Sequence, residues 1–312
     1  MRNGVQIVTV NADDAGQRVD NYLMRHLPGV PRSHVYKLLR SGQVRVDGGR
    51  VKPLRKLRAG ERLRIPPVRL APRGDTPRPP DELIDRLAEA VVHEDADYLV
   101  VDKPAGQAVH GGSGVAFGLI EVLRHRYGED SRLELCHRLD RDTSGLLLIA
   151  RGRPALLRAQ QAFRDGSVEK YYLALLIGRL DAPRVVNAKL ETQREQGGER
   201  RTLVSEQGRE ARSDFEPLEV FDDATLARVR IHTGRMHQIR AHALSIGYPI
   251  VGDDKYGNRS DNRRFADAGL RRLYLHAESL SVPAAEGWPA IRLTTGMPPE
   301  FDEALGRLRT SP

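Results

Sequence analysis

The residues best suited to chemistry in this sequence are two carboxylates in one short turn. Asp140 and Asp142 stand in His137-Arg138-Leu139-Asp140-Arg141-Asp142-Thr143-Ser144-Gly145, which runs straight into the apolar stretch Leu146-Leu147-Leu148-Ile149-Ala150. An ionised carboxylate in such a place is a candidate nucleophile. Acidic, basic and turn-forming residues ahead of a buried strand also set charges at a core edge, where they cost free energy unless paired. Composition alone leaves two readings open, an active site and a solvated surface ion pair. Other chemistries fail on spacing. Gly111-Gly112-Ser113-Gly114 is not followed by Gly-Lys-Ser/Thr, and Phe117 stands where a dinucleotide loop needs glycine. His237 and His242 are five apart, about 140° around a helix, so they do not share a metal ion as an i, i+4 pair does. The single cysteine, Cys136, sits beside His137, but neighbours in an extended segment point to opposite faces. A buried structural thiol is expected, with no metal and no cofactor.

The elements that must position the turn can be read from periodicity. Strand-like runs recur at Tyr98 to Val101, Leu146 to Ala150, Tyr171 to Ile177, Thr225 to Ile231 and Leu273 to Val282. Helical segments at Gly118 to Tyr127, Arg153 to Asp165 and Met236 to Ile246 interrupt them, the last closed by Gly247 and Pro249. Their connections do not alternate strictly, as a doubly wound sheet would require. An α+β body is expected, with a mixed, largely antiparallel central sheet and flanking helices.

Upstream, the charge is uneven. Residues 1 to 80 hold 17 Lys+Arg against 6 Asp+Glu, a net of +11, whereas the whole chain of 312 residues is +8. A basic block on a near-neutral body points to a polyanion-binding module, and nucleic acid is the natural partner. Arg18 to Leu27 and Pro31 to Ser41 read as two helices. On the second, Arg32, Lys37 and Arg40 gather on one side, whereas Val35, Leu38 and Leu39 gather on the other. Gln43 to Val51 follows as an alternating hairpin containing Arg45 and an Asp47-Gly48 turn. Six prolines between Pro66 and Pro80, with Arg69, Arg73 and Arg78 among them, read as an extended linker. The expected organisation is a small domain over residues 1–66, a linker over 67–85 and a larger body over 86–312. One cysteine forms no intramolecular disulfide, the first residues lack a signal-peptide core, and no span approaches the ~18 apolar residues of a membrane helix. A soluble, cytoplasmic, monomeric chain is expected.

Several separated segments carry a family resemblance. His137-Arg138-Leu139-Asp140 with Thr143-Ser144-Gly145 resembles the active-site motif of the RluA family of pseudouridine synthases. Tyr98-Leu99-Val100-Val101-Asp102-Lys103-Pro104-Ala105-Gly106, Glu169-Lys170-Tyr171-Tyr172-Leu173-Ala174 and His232-Thr233-Gly234-Arg235-Met236-His237-Gln238-Ile239-Arg240 match in the same order, as does Gly247-Tyr248-Pro249-Ile250-Val251-Gly252-Asp253. The resemblance covers residues 18 to about 305, with residues 18 to about 66 similar to the S4 RNA-binding module. Asp102 and Met236 depart from the family's more common Asn and Thr. Within the family, His110-Gly111-Gly112-Ser113-Gly114 with Phe117-Gly118 and Ile120-Glu121 is closer to the large-subunit enzymes of type C than to their type D sisters.

The resemblance implies a fold, a reaction and a set of residues. The reaction breaks the C1′–N1 bond of a uridine, turns the freed uracil and rejoins it through C5, which needs a carboxylate but no redox step. Asp140 is implied as the nucleophile, Arg240 as its ion-pair partner, and Tyr172 as the ring that stacks on the uracil. Arg138 matches a residue that fills the space left by the extruded base. His137, Arg235 and His237 are implied as RNA-binding, together with Arg32, Lys37, Arg40 and Arg45 of the N-terminal module. The implied partner is 23S ribosomal RNA or an assembling large subunit, with another ribosomal or transfer RNA uridine as the alternative.

Overall fold

A computed structural model of the chain describes residues 4–27, 29–68, 78–112, 115–128, 131–195 and 199–310. Ser113, Gly114 and residues 69–77 of the expected linker lie outside the described residues. The chain divides into two compact units, Met1–Arg78 and Pro79–Pro312.

The first unit packs two helices on a four-stranded sheet. In chain order it contains β1 (Gln6–Thr9), α1 (Val19–His26), α2 (Arg32–Arg40), β2 (Arg45–Val46), β3 (Gly49–Arg50) and β4 (Arg62–Ile65), with strand order β1-β4-β2-β3. The hairpin reverses at Asp47 and Gly48, both with positive φ, and such a turn matches the twist of its strands. Val35, Leu38 and Leu39 of α2 are buried with Val19, Tyr22 and Leu23 of α1 and with Val46, Leu63 and Ile65 of the sheet. Arg32, Lys37 and Arg40 remain exposed on the opposite side of α2, and Arg45 is exposed on β2. Each fully buried aliphatic side chain contributes about 1.5–3 kcal/mol, so the apolar stripe fixes which way the basic side faces.

The second unit opens with α3 (Asp81–Glu89), β5 (Val91–Glu94), β6 (Tyr98–Lys103), α4 (Leu119–Tyr127), β7 (Leu133–Leu135), β8 (Ser144–Arg151) and α5 (Arg153–Arg164). It continues through β9 (Glu169–Ile177), β10 (Arg184–Asn187), β11 (Leu190–Arg194), β12 (Arg200–Val204), β13 (Arg212–Val220) and β14 (Ala224–Ile231). It closes with α6 (Gln238–Ser245), α7 (Arg259–Asp267), β15 (Leu275–Val282), β16 (Ile291–Thr294) and α8 (Pro299–Thr310). Residues 81–85, expected in the linker, instead form the start of α3. Pro80 leads into it without needing an N–H, Asp81 and Glu82 complement the helix N-terminus, and Ile84 and Leu87 are buried.

Among the described residues the large sheet has the order β10-β13-β14-β9-β15-β8-β6-β5, with β16 paired to β15 and β7 to β8. Every pairing is antiparallel except β15 with β8, so the body is α+β with a mixed, largely antiparallel sheet. Strand β8 is central, and both faces are covered, which explains its unbroken apolar run. Leu147 and Ile149 join the core that contains α4 residues, while Leu146, Leu148 and Ala150 face Ala155, Leu156 and Ala159 of α5. The hairpin β11–β12 forms a separate two-stranded sheet.

Candidate active site

The carboxylate turn joins β7 to β8, and the fold separates its two acids. Asp142 pairs with Arg141 at 3.0 Å in solvent, an ordinary surface ion pair. Asp140 turns inward beside α6. Leu139 next to it, Ile239 of α6 and Tyr172 of β9 belong to one core cluster, which brings three distant segments together. The surface ion-pair reading holds for Asp142, whereas Asp140 lies away from that pair, against Arg240.

Asp140 Oδ2 accepts a hydrogen bond from Arg240 Nη1 at 3.2 Å, and His237 Nε2 lies 3.8 Å from the same oxygen. Among the described residues Oδ1 has no hydrogen-bond partner. Arg240 is itself clamped from behind: Nε and Nη2 donate to Asp253 Oδ2 and Oδ1 at 2.7 and 2.8 Å. Asp253 has no exposed side-chain surface, whereas Asp140 keeps 19%. Burial alone would lower the Arg240 pKa, but its bonds and charge pairing to Asp253, then to Asp140, outweigh that and raise it. The result is a fixed cation at the back of the site and a carboxylate with one free oxygen at its open end.

Tyr172 lies mid-strand, opposite Val229 of β14 and Ala277 of β15. Burial first and the Asp140 charge second push its pKa up, so it stays a neutral phenol. The turn is held from below by Lys103, whose buried Nζ donates to the carbonyls of Pro104, Gln107 and Arg141, each at 2.9 Å. Those bonds use all three ammonium protons. Burial draws the Lys103 pKa down to about 7, with Asp142 and Asp140 pulling the other way. Where β8 begins, Ser144 Oγ accepts from Arg272 Nη2 at 2.6 Å and pairs with His276 Nδ1 at 2.9 Å, and His276 Nε2 pairs with Thr295 Oγ1 at 2.7 Å. This buried chain ties the exit of the turn to β15.

The remaining expected residues divide. His237 borders Asp140 and takes the left-handed backbone conformation, φ 50°, ψ 27°, at the N-terminus of α6. The helix was expected from Met236 but starts two residues later. The Gln238 side chain accepts from Thr233 Oγ1 and the Arg235 N–H and donates to the Arg212 carbonyl and Ser213 Oγ, which stabilises a turn through 233–237 instead. Arg235, half-buried in that turn, donates to the Glu210 carbonyl. Arg138 is exposed beside Asp140. His137 is not placed to hold RNA by charge: its Nε2 accepts the Leu148 N–H at 3.0 Å and its ring lies against Phe163. Burial and the nearby Lys170 charge hold its pKa down to about 3, which makes it a neutral brace for β8. Arg32, Lys37, Arg40 and Arg45 belong to the first compact unit. His242 pairs with Ser213 Oγ and the Ala188 carbonyl rather than approaching Asp140. Cys136 is buried, and burial pushes its thiol pKa up. Asp253 and Tyr256 were not assigned roles from sequence. Asp253 closes a motif that was recognised, but only its pairing with Arg240 shows what it does.

Comparisons with known proteins show the family. The sequence matches the family model described as RNA pseudouridylate synthase over residues 97–245 and the S4 domain model over residues 17–63. It is 42% identical over 311 residues to the ribosomal large subunit pseudouridine synthase C of Pasteurella multocida (strain Pm70), covering 99% of this chain and 95% of that one. It is 43% identical to the protein of the same name in Escherichia coli (strain K12), covering 98% of each. Among solved structures, human RNA pseudouridylate synthase domain containing 4 superposes with a TM-score of 0.58 at 27% identity, covering 73% of this chain and 96% of that one. Human RNA pseudouridylate synthase domain containing 1 gives 0.57 at 27% identity, covering 72% and 95%. An α+β body with Asp140 and Arg240 paired at its core edge, preceded by an S4 domain, and full-length similarity of this degree lead to one conclusion: the chain belongs to the RNA pseudouridylate synthase family.

Proposed function

We propose that the chain converts uridines of 23S ribosomal RNA, free or in an assembling large subunit, to pseudouridine, with Asp140 as nucleophile. The observation that carries this reading is the Asp140–Arg240–Asp253 network, which keeps one carboxylate oriented and leaves its Oδ1 open. Attack of that oxygen on C1′ breaks the C1′–N1 bond and leaves uracil as the departing base. After the base turns, C5 bonds to C1′ and releases the Asp140 carboxylate. The proton lost from C5 balances the one gained by N1, so no electron is gained or lost. Tyr172, flat-faced and neutral, suits stacking on the uracil, and Arg138 suits the gap left in the RNA when the base is extruded. No step calls for a cofactor.

The choice of 23S RNA rests on the segment around His110-Gly111-Gly112 with Phe117-Gly118, and on relatives named for the large subunit that align along nearly the whole chain. The S4 unit adds phosphate contacts through Arg32, Lys37, Arg40 and Arg45. Among the described residues no helix is long and apolar enough to cross a membrane. The reading takes the cytoplasm as the site of action, because ribosomal RNA is made and assembled there. The test is to map pseudouridines by carbodiimide primer extension in 23S RNA from a strain lacking this protein. Particular stops should vanish, return with the wild-type chain and stay absent with Asp140→Asn. Their return with Asp140→Asn would overturn the nucleophile, and losses confined to another RNA would overturn the substrate.

A further inference from the structure

Tyr256 lies in the segment after Asp253, and its backbone N–H donates to Asp253 Oδ1 at 2.9 Å, so the carboxylate that clamps Arg240 also anchors it. Its buried ring has the Arg240 guanidinium 5.0 Å from its centre and that of Arg201 at 5.4 Å, and it meets His237 edge-on at 5.6 Å. Its hydroxyl makes two close contacts, 2.8 Å to the Thr202 backbone nitrogen of β12 and 3.0 Å to His237 Nδ1. The Thr202 nitrogen is only a donor, so the tyrosine oxygen accepts there. The Thr202 hydroxyl is paired with that of Thr192 at 3.0 Å. The hydroxyl proton of Tyr256 then finds its acceptor at His237 Nδ1, since a buried O–H left without an acceptor is destabilising.

We infer that Tyr256 is a positioning residue that holds neutral His237 as the Nε2–H tautomer, with that N–H facing the Asp140 carboxylate. The other tautomer would turn a nitrogen lone pair toward Oδ2 at 3.8 Å and repel it. With Nε2–H in place, His237 and Arg240 both present donors to Oδ2, and Oδ1 stays free. The backbone supports this assignment. His237 occupies the left-handed region, which L-residues adopt only under strain, and the Tyr256 contact sits on the strained residue itself. Thr202 lies on β12, so the hairpin β11–β12 is linked to Asp140 through Tyr256 and His237. The inference rests on Asp140 being the nucleophile.

The test uses the full chain labelled with 15N-histidine. The His237 resonances, identified by their loss in His237→Gln, should report a protonated Nε2 and an unprotonated Nδ1 in the wild type. Tyr256→Phe should move them toward the other tautomer and lower kcat about 10- to 100-fold with KM for RNA little changed. In a His237→Gln background, which keeps an amide donor near the Nε2 position but has no tautomers, Tyr256→Phe should cause no further loss. A protonated Nδ1 in the wild type overturns the inference, even where the variants fold poorly. An equal loss of kcat in both backgrounds does so too, because it marks Tyr256 as structural support only. Asp140→Ala is assayed in parallel. Turnover by that variant would remove the nucleophile reading, whereas an inactive Asp140→Ala beside a wild-type-like Tyr256→Phe removes only the role of Tyr256.

Discussion

Two aspartates flank one arginine, and their burial separates their roles. Asp253 accepts from Arg240 Nε and Nη2 and from the backbone N–H groups of Lys255 and Tyr256, with no side-chain surface exposed. Asp140 takes one hydrogen bond from the same guanidinium at the open end. An amide in place of Asp253 would leave Arg240 buried without its main counter-charge and would turn N–H groups toward donors. Breaking a buried pair from one side costs about 3–5 kcal/mol, a large share of the 5–15 kcal/mol that holds a typical domain. Asp140→Asn leaves Arg240 paired with Asp253 and should cost only about 1 kcal/mol. Chemical denaturation of the two variants should therefore give opposite patterns: Asp253→Asn strongly destabilised, Asp140→Asn folded and inactive. Equal stability of the two would show that Asp253 is not the anchor of the network.

At the scale of elements, the turn is placed by the seam between β8 and β15, where Ser144 lies opposite His276 and Gly145 opposite Ala277. Gly145 has φ of 107°, and a Cβ there would stand 2.3 Å from the Ala277 carbonyl oxygen and 2.5 Å from its nitrogen, both backbone atoms that cannot swing aside. Gly145→Ala should push β8 from β15, displace Asp140 five residues upstream, and cost about 3 kcal/mol or more as strain at a special backbone position. Wild-type melting and turnover in that variant would show that the seam does not position the turn. This geometry also shows what was legible in the sequence. The strands at Tyr98, Leu146 and Tyr171 stood out as apolar runs, that at Thr225 by the alternation of Ala227, Val229 and Ile231 with Arg228 and Arg230, and α2 because its charges and aliphatic residues segregate at helical spacing. The hairpin β11–β12 did not, since Leu190-Glu191-Thr192-Gln193-Arg194 is mostly polar and pairs with the likewise mostly polar Arg200–Val204. The pairing of Asp140 with Arg240 spans 100 residues and leaves no local pattern; it entered only through family resemblance. Nothing in the residue types told His137 apart from a cation for RNA. Its role as acceptor of the Leu148 N–H depends on how β8 runs past it.

For the whole molecule, charge and chemistry are assigned to different compact units. Residues 1 to 80 hold a net +11, whereas the rest of the chain is −3, with 33 basic residues against 36 acidic ones. A near-neutral body draws little affinity from phosphates, so the S4 unit should supply most of the salt-sensitive part of binding while Asp140 and Arg240 set turnover. Each phosphate neutralised contributes about 0.7–0.9 to the slope of log K against log salt concentration. Arg32, Lys37 and Arg40 are exposed along one side of α2, whose buried side keeps the helix in place without them. Replacing all three with Gln should leave the fold intact and flatten the slope by up to about 2–3. Binding should weaken most at low salt, whereas turnover at saturating RNA should not change, because no reacting group is altered. Filter binding across a salt series, paired with single-turnover kinetics, measures both quantities on the same protein. An unchanged slope would show that the basic side of α2 is not the anchor. A slope that flattens together with a fall in saturated turnover would show that the two units do not divide the work, and that the S4 unit contributes to chemistry as well as to capture.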